Sequence, residues 1–170
     1  MQLRTVKVEK PDGLNIIMGQ SRVIRTVDEI HDVLVDTIPG IRFGVALNEG
    51  AEPEVKFSGT DKLLVELATR NAANIGADHL FVLLTENAIP VNVMKSLKEV
   101  SDIAEIYCAT DNSIEVIVVD TESGCGVMGL ANDHAVELVE DDRPAVTNRL
   151  FHRNALRILR GQFRNRMKLA

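Results

Sequence analysis

The residues best suited to chemistry in this 170-residue chain surround one histidine. His79 follows Gly76-Ala77-Asp78 and stands at the mouth of the apolar run Leu80 to Leu84. An imidazole titrates near neutrality, so at a strand mouth it can act as a nucleophile or carry a proton. A histidine that is only structural is the competing reading at that position, and residue type alone favours it. Soon after comes Pro90-Val91-Asn92-Val93-Met94-Lys95-Ser96-Leu97-Lys98, which offers a helix N-terminus, an amide at Asn92 and cations at Lys95 and Lys98. Helix N-termini and lysines are natural phosphate partners, although an amphipathic surface helix has the same spacing. Ala109-Thr110-Asp111-Asn112-Ser113-Ile114-Glu115 is a polar turn between two strand-like runs. His31 lies between Glu29 and Asp32 and reads as surface, and His134 and His152 fall in the charged late part. The four histidines have no metal-ligand spacing.

Several familiar motifs are absent or out of context. Gly124-x-Gly126-x-x-Gly129 matches the dinucleotide fingerprint, which works only where a strand turns into a helix. Here Val127-Met128-Gly129-Leu130 is strand-like, so a hairpin is the better reading, with glycines that let backbone approach a phosphate. There is no Gly-x-x-x-x-Gly-Lys-Ser/Thr loop and no Gly-x-Ser-x-Gly elbow, which sets aside P-loop enzymes and α/β-hydrolases. Cys108 ends an apolar strand and reads as a buried thiol. Cys125 lies in the glycine turn. Two cysteines are too few for a disulfide scaffold.

The elements that must position these residues follow from periodicity. Leu3 to Glu9 alternates as a half-buried strand, Pro11-Asp12-Gly13 turns, and Leu14 to Met18 reads as the returning strand of a hairpin. Thr26 is placed to cap a helix through Asp36, with Glu29 completing a capping box. Val27, Ile30, Val33, Leu34 and Ile38 form its apolar stripe, and Pro39-Gly40 stops it. Ile41 to Leu47 reads as a strand and Glu49 to Ser58 as a loop. A helix starts at Thr60 or Asp61, with Leu63, Leu64, Leu67, Ala68, Ala72 and Ile75 inward, and stops at Gly76. Leu80 to Leu84 is apolar throughout, as in a central strand covered on both faces. Pro90 opens a helix through Lys98. Strands follow at Ile103–Ala109 and Ile114–Val119, Val127 to Leu130 pairs back, and a long helix covers Thr147 to Lys168. This order predicts an α/β fold of the α+β type, a mixed sheet covered by helices in a single compact domain.

Composition bounds the function. Aromatics are 4% with no Trp, so the core is aliphatic and stacked-aromatic platforms for single-stranded nucleic acid are not expected. No apolar run approaches the ~20 residues of a membrane-spanning helix, and no secretory leader opens the chain, so a cytoplasmic protein without a membrane partner is expected. Residues 143–170 carry eight basic and no acidic side chains, while residues 1–142 hold 11 basic and all 25 acidic ones, a net −14. The division is thus an acidic body over 1–142 and a basic helical end over 143–170. The preferred partner for that end is the acidic body of this or another copy, with nucleic acid the alternative.

Taken in order, these segments resemble one family. Leu14 to Ser21, Thr26 to Ile30, Pro39 to Gly44, Gly76 to Val82, Pro90 to Lys98 and Cys108 to Val118 are similar to the adenosine-specific kinases, collinearly over about residues 5–130. The resemblance implies binding of adenosine or AMP, adenosine phosphorylation alongside a stable phosphohistidine, and a homotrimer or hexamer. It places the catalytic histidine at His79, the histidine inside a matching segment. Asn92, Lys98, Thr110, Asn112, Glu115, Gly124 and Gly126 become ligand-site candidates, with ATP or another phosphoryl donor and Mg²⁺ as cofactors. A non-catalytic adenosine- or AMP-binding protein on the same scaffold is the alternative. Where the family usually has arginine between the two glycines, this chain has Cys125.

Overall fold

The computed structural model describes residues 1–49 and 54–132. The expected helix over Thr147 to Lys168 and the boundary at residue 143 lie outside them. Eleven elements run in the order β1 (Gln2–Lys7), β2 (Asn15–Ser21), α1 (Thr26–Thr37), β3 (Phe43–Glu49), β4 (Glu54–Gly59), α2 (Lys62–Ile75), β5 (Leu80–Thr85), α3 (Pro90–Glu99), β6 (Ile103–Thr110), β7 (Ile114–Thr121) and β8 (Gly124–Asn132). The architecture is α+β with helix-covered sheet, as expected. The described strands divide between a five-stranded sheet, β4-β3-β5-β2-β6, and a three-stranded sheet, β1-β7-β8. Every ladder in both is antiparallel.

β5 runs through the middle of the larger sheet, and all six of its residues are buried, which is why it is apolar without alternation. Its side chains point alternately into two cores. Leu80, Val82 and Leu84 join Ile16, Met18 and Ala46 against Ala68, Ala72 and Ile75 of α2 and against Val116 and Val118 of the small sheet. Phe81 and Leu83 join Ile17, Phe43, Val45 and Leu47 against Val27, Ile30 and Leu34 of α1 and Val93 and Leu97 of α3. Gly44 lets α2 lie directly on β3: a Cβ there would sit 2.2 Å from the backbone of Leu64 and Val65, a contact no side chain can occupy.

Four expectations are corrected. β1 and β2 are consecutive but do not form a hairpin; β1 pairs with β7, and β2 with β5 and β6. The stretch expected as a loop contains β4, an edge strand on β3. Thr26 is the first helical residue rather than the cap, and Arg25 at the cap position makes no side-chain bond to the helix. Its hydroxyl instead donates to the Val23 carbonyl at 2.7 Å and accepts from Ser21 Oγ at 2.6 Å. Leu63, expected inward, is 72% exposed. By contrast α2 starts and ends as its sequence dictates. Asp61 accepts from the amides of Leu63 and Leu64, and Gly76 closes the helix in the left-handed conformation.

Candidate functional site

His79 is held by backbone geometry at the entrance to β5. Its amide donates to the Asn48 carbonyl at 3.1 Å, and its own carbonyl accepts from the Ser21 amide at 2.9 Å. The bend is completed by Asp78, whose amide donates to the Cys125 carbonyl at 3.3 Å. Asn48 ties the same bend to the end of α2, its buried amide donating to the carbonyls of Ala72 (2.7 Å) and Ala77 (3.0 Å). Four elements, β2, β3, α2 and β8, thus converge on residues 76–79. Among the described residues His79 is the non-glycine residue with a positive φ, 56°, a conformation that costs on the order of 1 kcal/mol and persists only where the surroundings enforce it.

The ring is asymmetric. Its side chain is 37% exposed, and Nε2 lies 3.6 Å from Oδ1 of Asp78. Nδ1 is buried without a hydrogen-bond partner. Buried polar atoms are normally paired, so an orphaned nitrogen on a strained residue at an open rim makes His79 a candidate site residue.

Around this bend lies a second set of charges. Arg4 of β1 donates from Nε to Asp120 at 2.9 Å, from its terminal nitrogens to the carbonyls of Asn74 (3.2 Å) and Ile75 (2.7 Å), and to Cys125 Sγ at 3.4 Å. Those carbonyls are the unpaired end of α2, where a cation is favoured. The Asp120 hydrogen bond raises the Arg4 pKa, and the same bond holds the Asp120 carboxyl below its ordinary range. Burial, with help from the neighbouring Asp120, pushes the Cys125 thiol up against the opposing pull of Arg4, which disfavours the nucleophilic thiolate. Arg4 went unnoticed in the sequence because its partners lie up to 121 residues away.

The structure divides the remaining candidates. Gly124 and Gly126 open the β8 strand at the His79 end, flanking Cys125, in the hairpin that β7 and β8 form; the dinucleotide-type turn is not present. Lys98 lies on an exposed turn at the end of α3, and Asn92 is exposed at its start. Thr110, Asn112 and Glu115 lie at the other end of the sheet, since Thr110 pairs with Ile16 and Ile16 with Leu84. Thr110 Oγ1 accepts from the Asn112 amide at 3.0 Å, which makes 110–112 a hydroxyl-stabilised turn passing between the two sheets. Beside it, Lys7, Ser113, Ile114, Glu115, Ala131 and Asn132 line a cleft of about 240 Å³. Glu115 and Asp120 are five positions apart along β7, about 17 Å at ~3.3 Å per residue. The His79 end and the cleft are therefore two places in one chain.

Among the described residues no group of three His, Cys, Asp or Glu side chains is arranged to hold a metal. Mg²⁺ commonly takes only one or two protein carboxylates beside phosphate oxygens, and Asp78, next to His79 Nε2, fits that limited role. No helix among the described residues is long and apolar enough to cross a membrane.

The model of the adenosine-specific kinase family matches residues 6–156. The chain belongs to that family. It is also similar to a crystal structure of the PH1918 protein from Pyrococcus horikoshii OT3, with 36% identity and a TM-score of 0.79. That likeness covers 93% of this chain and 96% of the other. No curated protein matches the chain. The family match spans both the His79 bend and the Thr110–Glu115 cleft.

Proposed function

We propose that this adenosine-specific kinase family member transfers a phosphoryl group from ATP or another donor to adenosine, giving AMP, by way of a phosphohistidine at His79. The observation that carries the reading is the state of His79, strained, half-open and with a ring nitrogen that no protein group satisfies. Phosphoryl transfer demands positioning and charge neutralisation more than covalent help from many residues, and a rigid bend with one nucleophile supplies the positioning. Asp78 would share Mg²⁺ with the incoming phosphate, and the metal when bound offsets charge on the transferring group. Adenosine or AMP would sit in the cleft that Glu115 and Lys7 line, where a carboxylate and an ammonium can each bond a nucleoside edge or hydroxyl.

The separation of the two places within one chain gives assembly a part in this reading. A homotrimer or hexamer would let the His79 end of one copy meet the cleft of another. The same separation favours a second reading, a protein that binds adenosine or AMP without turning it over. Intact-protein mass after incubation with ATP and Mg²⁺, followed by an assay of AMP from adenosine, separates them. Gain of one phosphoryl group and AMP formation, both absent in His79→Asn, is the expected result. Saturable adenosine binding with neither would establish the binding protein instead. Asparagine is the control of choice because it tolerates the left-handed backbone that most residues resist.

A further inference from the structure

We propose that the groove between α1 and α3 docks the arginine-rich segment Arg149–Arg164 of a second copy of this chain. The contact stands apart from the chemistry at His79. Glu29, Asp32 and Asp36 of α1 and Glu99 of α3, together with Val33 and Val100, line an open groove of about 510 Å³, and no described lysine or arginine is among its walls. The hydroxyls of Thr37 and Ser96, 3.0 Å apart, tie the two helices together along it. Arg25 lies 3.7 Å from Glu29, but Asp32, Asp36 and Glu99 have no ion-pair partner among the described residues. Asp32 and Asp36 are one turn apart on α1 and repel each other. Asp36 also stands in the last turn of that helix, which has no basic residue and where the helix dipole disfavours an anion. The helix gains nothing from carboxylates placed this way; a cationic partner laid along them does.

The sequence supplies that partner. Arg149, Arg153, Arg157, Arg160 and Arg164 recur in steps of four, four, three and four, in a stretch with no acidic side chain from residue 143 to 170. Read as the helix its periodicity predicts, at 3.6 residues per turn, the segment gathers all five into an arc of about 80°. Glu29, Asp32 and Asp36 recur in steps of three and four, within an arc of about 60°. Two helices with this shared spacing set a guanidinium against a carboxylate about every 5 to 6 Å, and the planar fork of arginine suits that pairing. The net −14 of residues 1–142 repels a polyanion brought beside the segment, which favours an acidic protein surface over nucleic acid. The place of the groove selects the copy. α1 and α3 cover one face of the five-stranded sheet, and the small sheet covers the other. β8, after which the chain continues towards Arg149, belongs to the small sheet. The groove therefore opens on the face turned away from the outgoing chain, where a neighbouring copy has access.

The test is sedimentation equilibrium of the full-length chain. Asp32→Lys/Asp36→Lys reverses the charge of the groove, and Arg157→Glu/Arg160→Glu reverses that of the segment. Wild type should self-associate, less strongly as salt is raised. Each variant alone should lose about tenfold or more in its association constant, because like charges then face each other, with its circular dichroism unchanged. An equimolar mixture of the two variants should recover association to within about threefold of wild type, since the unaltered groove of one meets the unaltered segment of the other. If a reversed variant does not fold, Asp32→Asn/Asp36→Asn and Arg157→Gln/Arg160→Gln take its place and should each weaken association. Wild-type association in either variant alone, or a wild-type chain that stays monomeric, would overturn the proposal. Recovery when both pairs are reversed in one chain, but not in the mixture, would overturn the second copy as occupant. Binding of an oligonucleotide that Arg157→Glu/Arg160→Glu abolishes, with self-association intact, would overturn the proposal in favour of nucleic acid.

Discussion

The two ends of the β5 sheet are built in opposite ways. At the His79 end, four elements far apart in sequence meet through backbone hydrogen bonds, a buried asparagine and an arginine-capped helix terminus. At the Thr110–Glu115 end, one local turn closes on itself and opens onto a shallow cleft with exposed walls. The first arrangement fixes His79 at some cost in backbone strain; the second presents exposed groups that can adjust. Covalent chemistry needs the former and recognition tolerates the latter.

The sharpest way to break this contrast is His79→Asn. Phosphoryl incorporation and AMP formation should fall by on the order of 10³-fold or more, while adenosine affinity measured by calorimetry stays within about twofold. A parallel loss of binding would mean that the two ends are one site. Asn48→Ala removes the amide that joins β3 to the end of α2, and should cost about 2 kcal/mol in urea unfolding because two buried hydrogen bonds are lost. Phosphorylation of His79 should drop with it. Glu115→Ala tests the other end: adenosine binding should weaken by roughly tenfold, about 1.4 kcal/mol, with phosphoryl incorporation from ATP unchanged.

The smallest effect concerns pH. Burial pushes the Cys108 thiol up to about 11, above its unfolded value of about 8.5. A raised pKa means that the folded state holds its proton longer. The contribution of this group is therefore intact below about 8.5 and is lost as pH climbs towards about 11. Cys108→Ala should flatten the decline in melting temperature over that range, and thiol alkylation at neutral pH should leave Cys108 unmodified.

How much of this was legible in the sequence depends on how local each cause was. The ends of α2 were readable to within a residue because Asp61 and Gly76 act on the turns beside them. β5 was readable because a strand covered on both faces loses its alternation. The pairing of β1 with β7 rather than β2 was not, since a turn signal such as Pro11-Asp12-Gly13 marks a reversal but does not choose a partner. β4 hid among charged neighbours, although Val55 and Phe57 alternate with Lys56 and Ser58 as a half-exposed strand should. Thr26 looked like a cap by type and spacing, yet its hydroxyl was claimed by Ser21 and Val23. His79 was singled out by its place at a strand mouth and by the family segment it lies in, but its left-handed backbone depends on Asn48, Ser21 and Cys125. The division of the other candidates between two ends follows from sheet order, which periodicity does not carry.

The missing side chain at Gly44 has a consequence for motion. Where the first turn of α2 rests on the backbone of β3 at Gly44, no side chain lies between them to repack, so that turn is pinned to the strand. The Gly76–His79 bend at the other end of that helix is held separately, by the hydrogen bonds of Asn48, Ser21 and Cys125. With the helix held at both ends, the phosphotransferase reading has the entropy of bringing donor and imidazole together lost on binding rather than on a later closure of the protein.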